Sequence, residues 1–199
     1  MKPKFILLSL ITWVSLAFIN PEKQANIVSD FKLKNINGKI VSLGDYKNAK
    51  GFIIVFTCNH CPFAKMYPQR MNLLNNKFAR LGVPLIAISS SDTMVYEEDS
   101  YPEMVKMAKR KNINFPFLYD ATQSVAKQFK ADKTPHAFVI WKENKNWVIK
   151  YQGAIDDNGS EPEKVTHTYV ADAVNALLNG NRVPVPETKS IGCAIKWRK

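Results

Sequence analysis

The sequence predicts a single α/β domain: a central mixed β-sheet flanked by helices, with an N-terminal β-hairpin and an extended C-terminal tail. Three observations predict it. Phe52–Phe56 and Leu85–Ile88 are continuous apolar runs, the pattern of strands covered on both faces. Each is followed by a stretch with apolar residues at helical spacing. Further on, Ala137–Trp141 and Trp147–Tyr151 flank the polar Lys142–Asn146 as an antiparallel hairpin, so the sheet is mixed. A chain of 199 residues suits one such domain with a substantial core and is cramped for two.

The elements follow in order. Lys2 and Lys4 precede an apolar run from Phe5 to Ile19, the layout of a secretory signal. The run falls short of the ~20 residues that span a bilayer, and Ser15 and Ala17 occupy the −3 and −1 places for a cut after Ala17. Residues 1–17 are therefore expected to be a signal peptide or, if uncleaved, a membrane anchor. The protein is expected to be exported, in the periplasm or another extracytoplasmic space. Residues 26–180 form the predicted domain and 181–199 the tail. Phe31–Leu33 and Ile40–Leu43 read as a hairpin turning at Asn37-Gly38. Phe63, Met66, Tyr67, Met71, Leu74 and Phe78 lie on one face of a helix, with a kink expected at Pro68. Helices are expected over Pro102–Lys111, Thr122–Phe129 and Glu163–Asn179, the last capped by Gly180, and a short strand over Phe117–Tyr119.

Composition narrows the function. Lys and Arg exceed Asp and Glu by 28 to 17, for a net charge of +11. The basic residues at Lys106–Lys111 and Lys127–Lys133 are not interleaved with aromatics as in a nucleic-acid-binding sheet, and an exported protein rarely meets nucleic acid, so no nucleic-acid partner is expected. They read as a solvated face able to meet acidic partners or, peripherally, anionic lipid. No Gly-rich phosphate loop is present. Three cysteines exclude a dense disulfide framework.

The chemistry concentrates in Thr57-Cys58-Asn59-His60-Cys61-Pro62, between a buried strand and a helix. Two intervening residues let the thiols of Cys58 and Cys61 close into a disulfide. A Cys58 at a helix N-terminus would carry a depressed pKa and act as nucleophile. No second Cys-x-x-Cys or His pair completes a tetrahedral metal site, so no metal and no cofactor beyond the Cys58–Cys61 disulfide are expected. His60 would stabilise a Cys58 thiolate. Cys193 cannot be paired by spacing; it is a candidate resolving thiol if the tail folds back, or else part of a packed tail in which Ile195 and Trp197 cover apolar surface.

A strand–Cys-x-x-Cys–helix unit with a later Thr134-Pro135 before a hairpin strand resembles the thioredoxin-like superfamily. Five segments resemble, more closely, the peroxiredoxin-like branch of the AhpC/TSA redoxins: Thr57–Phe63, Phe115–Asp120, Thr134-Pro135, Gly153–Asp157 and Val183–Trp197. The resemblance implies a thioredoxin-like fold and a cis Pro135 beside the dithiol. It also implies that Thr134 and Pro135 shape a groove whose unpaired backbone binds an extended substrate strand. His136 would face the dithiol or solvent. Departures are also present. Peroxiredoxins carry Thr three residues before their reactive cysteine, where this chain has Val55. Lys133 stands where many branch members carry a further cysteine. No acidic residue lies within Phe52–Phe56 to take a proton from Cys61.

The expected function is thiol–disulfide exchange, with Cys58 attacking and Cys61 resolving. Its partners would be protein thiols and disulfides or small-molecule oxidants, with a redox partner protein supplying electrons. The alternatives are a thiol peroxidase using Cys58 and, on a different chemistry, a copper-carrying thioredoxin-like protein.

Overall fold

The structure, a computed structural model, describes residues 27–198; the expected leader lies outside the described residues. The strands and helices are β1 (Ile27–Val28), β2 (Lys32–Asn35), β3 (Ile40–Ser42), β4 (Gly51–Phe56), α1 (Pro68–Phe78), β5 (Leu85–Ser89), α2 (Tyr101–Arg110), β6 (Phe117–Tyr119), α3 (Ser124–Phe129), β7 (Lys133–Thr134), β8 (His136–Glu143), β9 (Asn146–Gly153), α4 (Tyr169–Leu178) and β10 (Cys193–Ala194). The main sheet runs β1-β9-β8-β4-β5-β6-β2-β3. Its centre, β4-β5-β6, is parallel, and β8 and β9 add on antiparallel, so the sheet is mixed as predicted.

Alternation along the central strands divides the core. Ile53, Val55, Leu85, Ala87 and Val139 face the side covered by α1, α2 and α4. Phe52, Ile54, Phe56, Ile86 and Phe138 face the other side, under α3, the N-terminal hairpin and Ile195 of the tail. Every residue of β4 is buried, which explains its unbroken apolar run. The expected hairpin is present: Leu33 opposes Val41, and Gly38 takes φ +84° at the turn.

Three elements differ from expectation. The helix foreseen from Phe63 is split into a 3₁₀ turn at Ala64–Met66 and α1, which starts at Pro68. Pro68 has no N–H to donate to the preceding turn, so the helix restarts with it in the first position instead of kinking. Phe63 and Met66 are accordingly exposed. The helix foreseen from Glu163 starts only at Tyr169, after a 3₁₀ turn at Pro162–Lys164. Between them Asp157 accepts hydrogen bonds from Thr166 N (3.0 Å) and Thr166 Oγ1 (2.5 Å) and donates its own N–H to His167 O (3.2 Å). These bonds hold the segment out of the helix. The β8–β9 ladder extends to Glu143 opposite Asn146, so the turn shrinks to Asn144-Lys145, both at positive φ. Among the described residues no helix is long and apolar enough to cross a membrane.

Candidate functional site

The site lies where β4 runs out at the edge of the sheet. Thr57 N still bonds Ile88 O at 2.9 Å, and the chain then leaves the ladder with Cys58. Cys58 Sγ lies 3.0 Å from Thr134 Oγ1, and Cys61 Sγ donates to Thr134 O at 3.1 Å. Cys58, Cys61 and Ala64 pack together, with Cys193 against them. Cys193 N also donates to Cys61 Sγ, at 3.3 Å. All three cysteines are free thiols. Cys58, Cys61, Thr134 and Cys193, each singled out in the sequence, thus meet in one place. The Thr134–Pro135 peptide is cis, and Pro135 O accepts Ser190 Oγ at 2.6 Å.

The ionisation pattern corrects one expectation. Cys58 is ten residues ahead of α1, so the helix end that was to lower its pKa is not beside it. Its thiol is instead pushed up, by donating to Cys61, by burial and by the Asp99 charge. Cys61 is lowered to about 4, because the Cys58 thiol bonds it, with further bonds from the Cys193 thiol and from the backbone at Ala64 and Cys193. The contact thus favours a charge on Cys61 over one on Cys58, while the donation from Cys61 Sγ to Thr134 O belongs to the protonated thiol. The Thr134 hydroxyl works the other way, favouring a charge on Cys58.

The substrate edge beside Pro135 also differs from expectation. The backbone of β7 is not open: β10 pairs with it antiparallel, Cys193 opposite Thr134. Lys133, standing where a cysteine was looked for, reaches Ser190 O at 3.4 Å. Ile195 is buried and its N–H bonds Asp132 O at 2.9 Å, whereas Trp197 stays largely exposed. Gln123, itself buried, donates to Ser90 O and Lys196 O and accepts Arg198 N. His136 faces neither the dithiol nor open solvent. Its ring packs on Phe138, near Asp132, and burial lowers its pKa.

His60 has partners that sequence reasoning missed. Its Nδ1 lies 2.5 Å from Asp99 Oδ2, and its ring stacks on Tyr96 at 3.7 Å. Asp99 is fully buried, and its Oδ1 accepts the N–H of Asn59 (2.6 Å) and of His60 (3.1 Å). A carboxylate already accepting two N–H bonds takes a third from His60 Nδ1–H, while Nε2 has no hydrogen-bond partner. Asp99 sits in the run Glu97-Glu98-Asp99, where nothing in the sequence separates the buried member from its exposed neighbours. Donor atoms of Cys58, His60 and Asp99 lie within 4.8 Å of one another, the one group among the described residues with metal-ligand convergence. The oxygens of Asp99 are already engaged, so the arrangement serves to orient His60. A cavity of about 190 Å³ adjoins Cys58, lined by Met71, Met107, Ile113 and Phe115, with Lys65 and Arg110 also on its wall.

The chain is similar to several known proteins. An uncharacterised conserved protein from Geobacillus kaustophilus is 37% identical, with a TM-score of 0.78 over 86% of this chain and 90% of its own. A hypothetical protein from Sinorhizobium meliloti is 30% identical, with a TM-score of 0.79 over 87% and 93%. The peroxidoxin BcpB of Mycobacterium tuberculosis, 20% identical with a TM-score of 0.56 over 78% and 95%, shares the fold. A comparison with curated proteins gave no match. The AhpC/TSA family profile matches residues 25–157, well over half the chain. Members of that family are thiol oxidoreductases or peroxidases. A redox-type cysteine site on a thioredoxin-like fold, together with that match, shows that this chain belongs to the AhpC/TSA family.

Proposed function

We propose that this redoxin is an exported thiol–disulfide oxidoreductase acting through Cys58 and Cys61. The observation that carries the reading is the convergence of both cysteines on Thr134, with Cys58 Sγ 3.0 Å from its hydroxyl and Cys61 Sγ 3.1 Å from its carbonyl oxygen. Loss of the Cys58 proton creates a thiolate beside the Thr134 hydroxyl. The thiolate attacks one sulfur of a substrate disulfide, forming a mixed disulfide and expelling the other sulfur as a thiolate, which takes up a proton. Cys61, deprotonated, then attacks the Cys58 sulfur, expels the second substrate thiolate and leaves a Cys58–Cys61 disulfide. Two electrons pass to the substrate, and the reverse sequence oxidises a dithiol. His60 tunes Cys58, and no cofactor beyond the disulfide is required. Export rests on Lys2, Lys4 and the Phe5–Ile19 run. In an oxidising compartment a redox partner protein must restore the dithiol.

The test is a pair of variants. Cys58→Ser abolishes exchange with a peptide disulfide, and Cys61→Ser accumulates a mixed disulfide on Cys58. If Cys61→Ser traps no adduct, the assignment of roles is wrong. The reduction potential gives the direction: near about −120 mV for an oxidase, near about −270 mV for a reductase.

A second reading, thiol peroxidase, is favoured by one contact. The hydroxyl missing at Val55 is supplied by Thr134 at 3.0 Å from Cys58. Peroxide consumption and disulfide exchange, measured on one preparation, separate the two.

A further inference from the structure

The three thiols are not equally placed. Cys58 is 3% exposed and Cys61 fully buried, whereas Cys193 is half-buried on the tail. Cys61 packs in one cluster with Cys58, and Cys193 packs against that cluster with its N–H 3.3 Å from Cys61 Sγ. The strand that presents Cys193 occupies the backbone of Thr134, where an extended protein substrate would dock. Its fit is close. A Cβ on Gly192 would lie 2.6 Å from the carbonyl carbon of Thr134 and nearer still to its oxygen, so only glycine allows this approach. Ser190 to Pro135 O, Ile195 N to Asp132 O and Gln123 to Lys196 O fasten the strand on both sides of the cysteine.

We propose that the tail is a built-in substrate strand and that Cys193 is the third redox-active thiol, exchanging with Cys61. The inference rests on the dithiol reading above. The Cys193 thiol is itself held up at about 11 by burial and by its bond to Cys61. Once the Cys58–Cys61 disulfide forms, Cys61 no longer carries the negative charge that helps raise Cys193. Cys193 then loses its proton to solvent and attacks the Cys61 sulfur. The Cys58–Cys61 bond breaks, a Cys61–Cys193 bond forms, and Cys58 leaves as a thiolate that takes up the proton. No net oxidation occurs; the disulfide moves from a buried pair to one with a solvent-facing sulfur. A protein dithiol reduces it there, attacking Cys193, releasing Cys61 as thiolate and finally leaving with its own disulfide. Small substrates meet Cys58 through the adjoining cavity, and protein partners meet Cys193.

The experiment uses the full chain in oxidised glutathione, quenched with acid and mapped by mass spectrometry. In Cys58→Ser, glutathione joins Cys193 and is displaced by Cys61, so a Cys61–Cys193 disulfide forms without a lasting adduct. In the unsubstituted protein, isolated Cys58–Cys61 disulfide freed of glutathione redistributes to include Cys61–Cys193. A lasting glutathione adduct in Cys58→Ser, or no redistribution, overturns the proposal. Failure of the unsubstituted protein to form Cys58–Cys61 at all overturns instead the dithiol reading. As a functional readout, Cys193→Ala slows reduction of the oxidised protein by a protein dithiol at least tenfold, with reduction by a small thiol slowed far less. Equal effects on both reductants overturn the proposal.

Discussion

Replacing Gly192 by alanine tests how firmly the tail is seated on the site. The added methyl carbon would stand 2.6 Å from Thr134 C and 3.1 Å from Pro135 N, with Thr134 O closer than either. Ordinary contact needs ~3.5 Å or more, so β10 must move by about 1 Å against the Thr134–Pro135 backbone, which leads directly into β8. Overpacking of this kind costs about 1–3 kcal/mol. The tail's local anchorage is of the same order: burial of Ile195 is worth ~2 kcal/mol, and each tail hydrogen bond ~1 kcal/mol. A strain of about 2 kcal/mol therefore raises the detached population by a factor of about 30. Alkylation of Cys61 and Cys193 by iodoacetamide should accelerate by at least tenfold, and Tm should fall by about 4–8 °C. Ile191→Ala, at an exposed neighbour, serves as the control and changes neither. If Gly192→Ala alkylates and melts like the unsubstituted protein, β10 does not lie against Thr134, and the built-in substrate goes with it.

Three more perturbations test the site and its support. The lowered pKa of Cys61, about 4, predicts one thiolate per reduced chain at pH 6, seen in ultraviolet difference spectra, lost in Cys61→Ser and retained in Cys58→Ser. Its contribution to stability is complete above the free-thiol pKa of about 8.5 and is lost as pH falls through about 4. The raised Cys58 acts oppositely, its contribution fading as pH rises above the free-thiol range. Asp99→Asn keeps an oxygen for the two backbone N–H groups but sets an N–H donor against His60 Nδ1 in place of its acceptor, for about 2 kcal/mol or ~4–8 °C in Tm. It also removes a charge that raises Cys58, so the pH profile of Cys58 alkylation moves downward; an unmoved profile refutes the coupling. Arg70→Met strips Asp156 of both Nη1 bonds (2.9 and 2.7 Å) and frees Asn158 O and Gly159 O. An Asp156 left without a cation, with only the Tyr67 hydroxyl and the Asn158 N–H donating to it, destabilises the fold by about 3–5 kcal/mol, read from urea midpoints, with new proteolysis in the loop around Gly159.

Local signals carried most of the fold. The β4 run is continuous because both faces of that strand are covered, and the Asn37-Gly38 turn demands a positive φ that glycine supplies. Helix limits were less legible. Pro68 starts α1 instead of bending it, and Asp157 diverts the chain ahead of α4 through bonds to residues nine and ten positions on. Asp120, read only as part of a family-like segment, turns out to cap α3, accepting N–H bonds from Val125 and Ala126.

The sequence by itself determined the pair Cys58 and Cys61, their position after a buried strand and the Thr134-Pro135 step, because each depends on neighbours along the chain. Only the tertiary structure decided which sulfur favours the charge, that Asp99 of a distant acidic run orients His60, and that the Cys193 N–H reaches Cys61. Those outcomes depend on donors brought together by sheet order and tail docking, and the energy of a buried thiolate is set by the groups around it in space, whatever their separation along the chain.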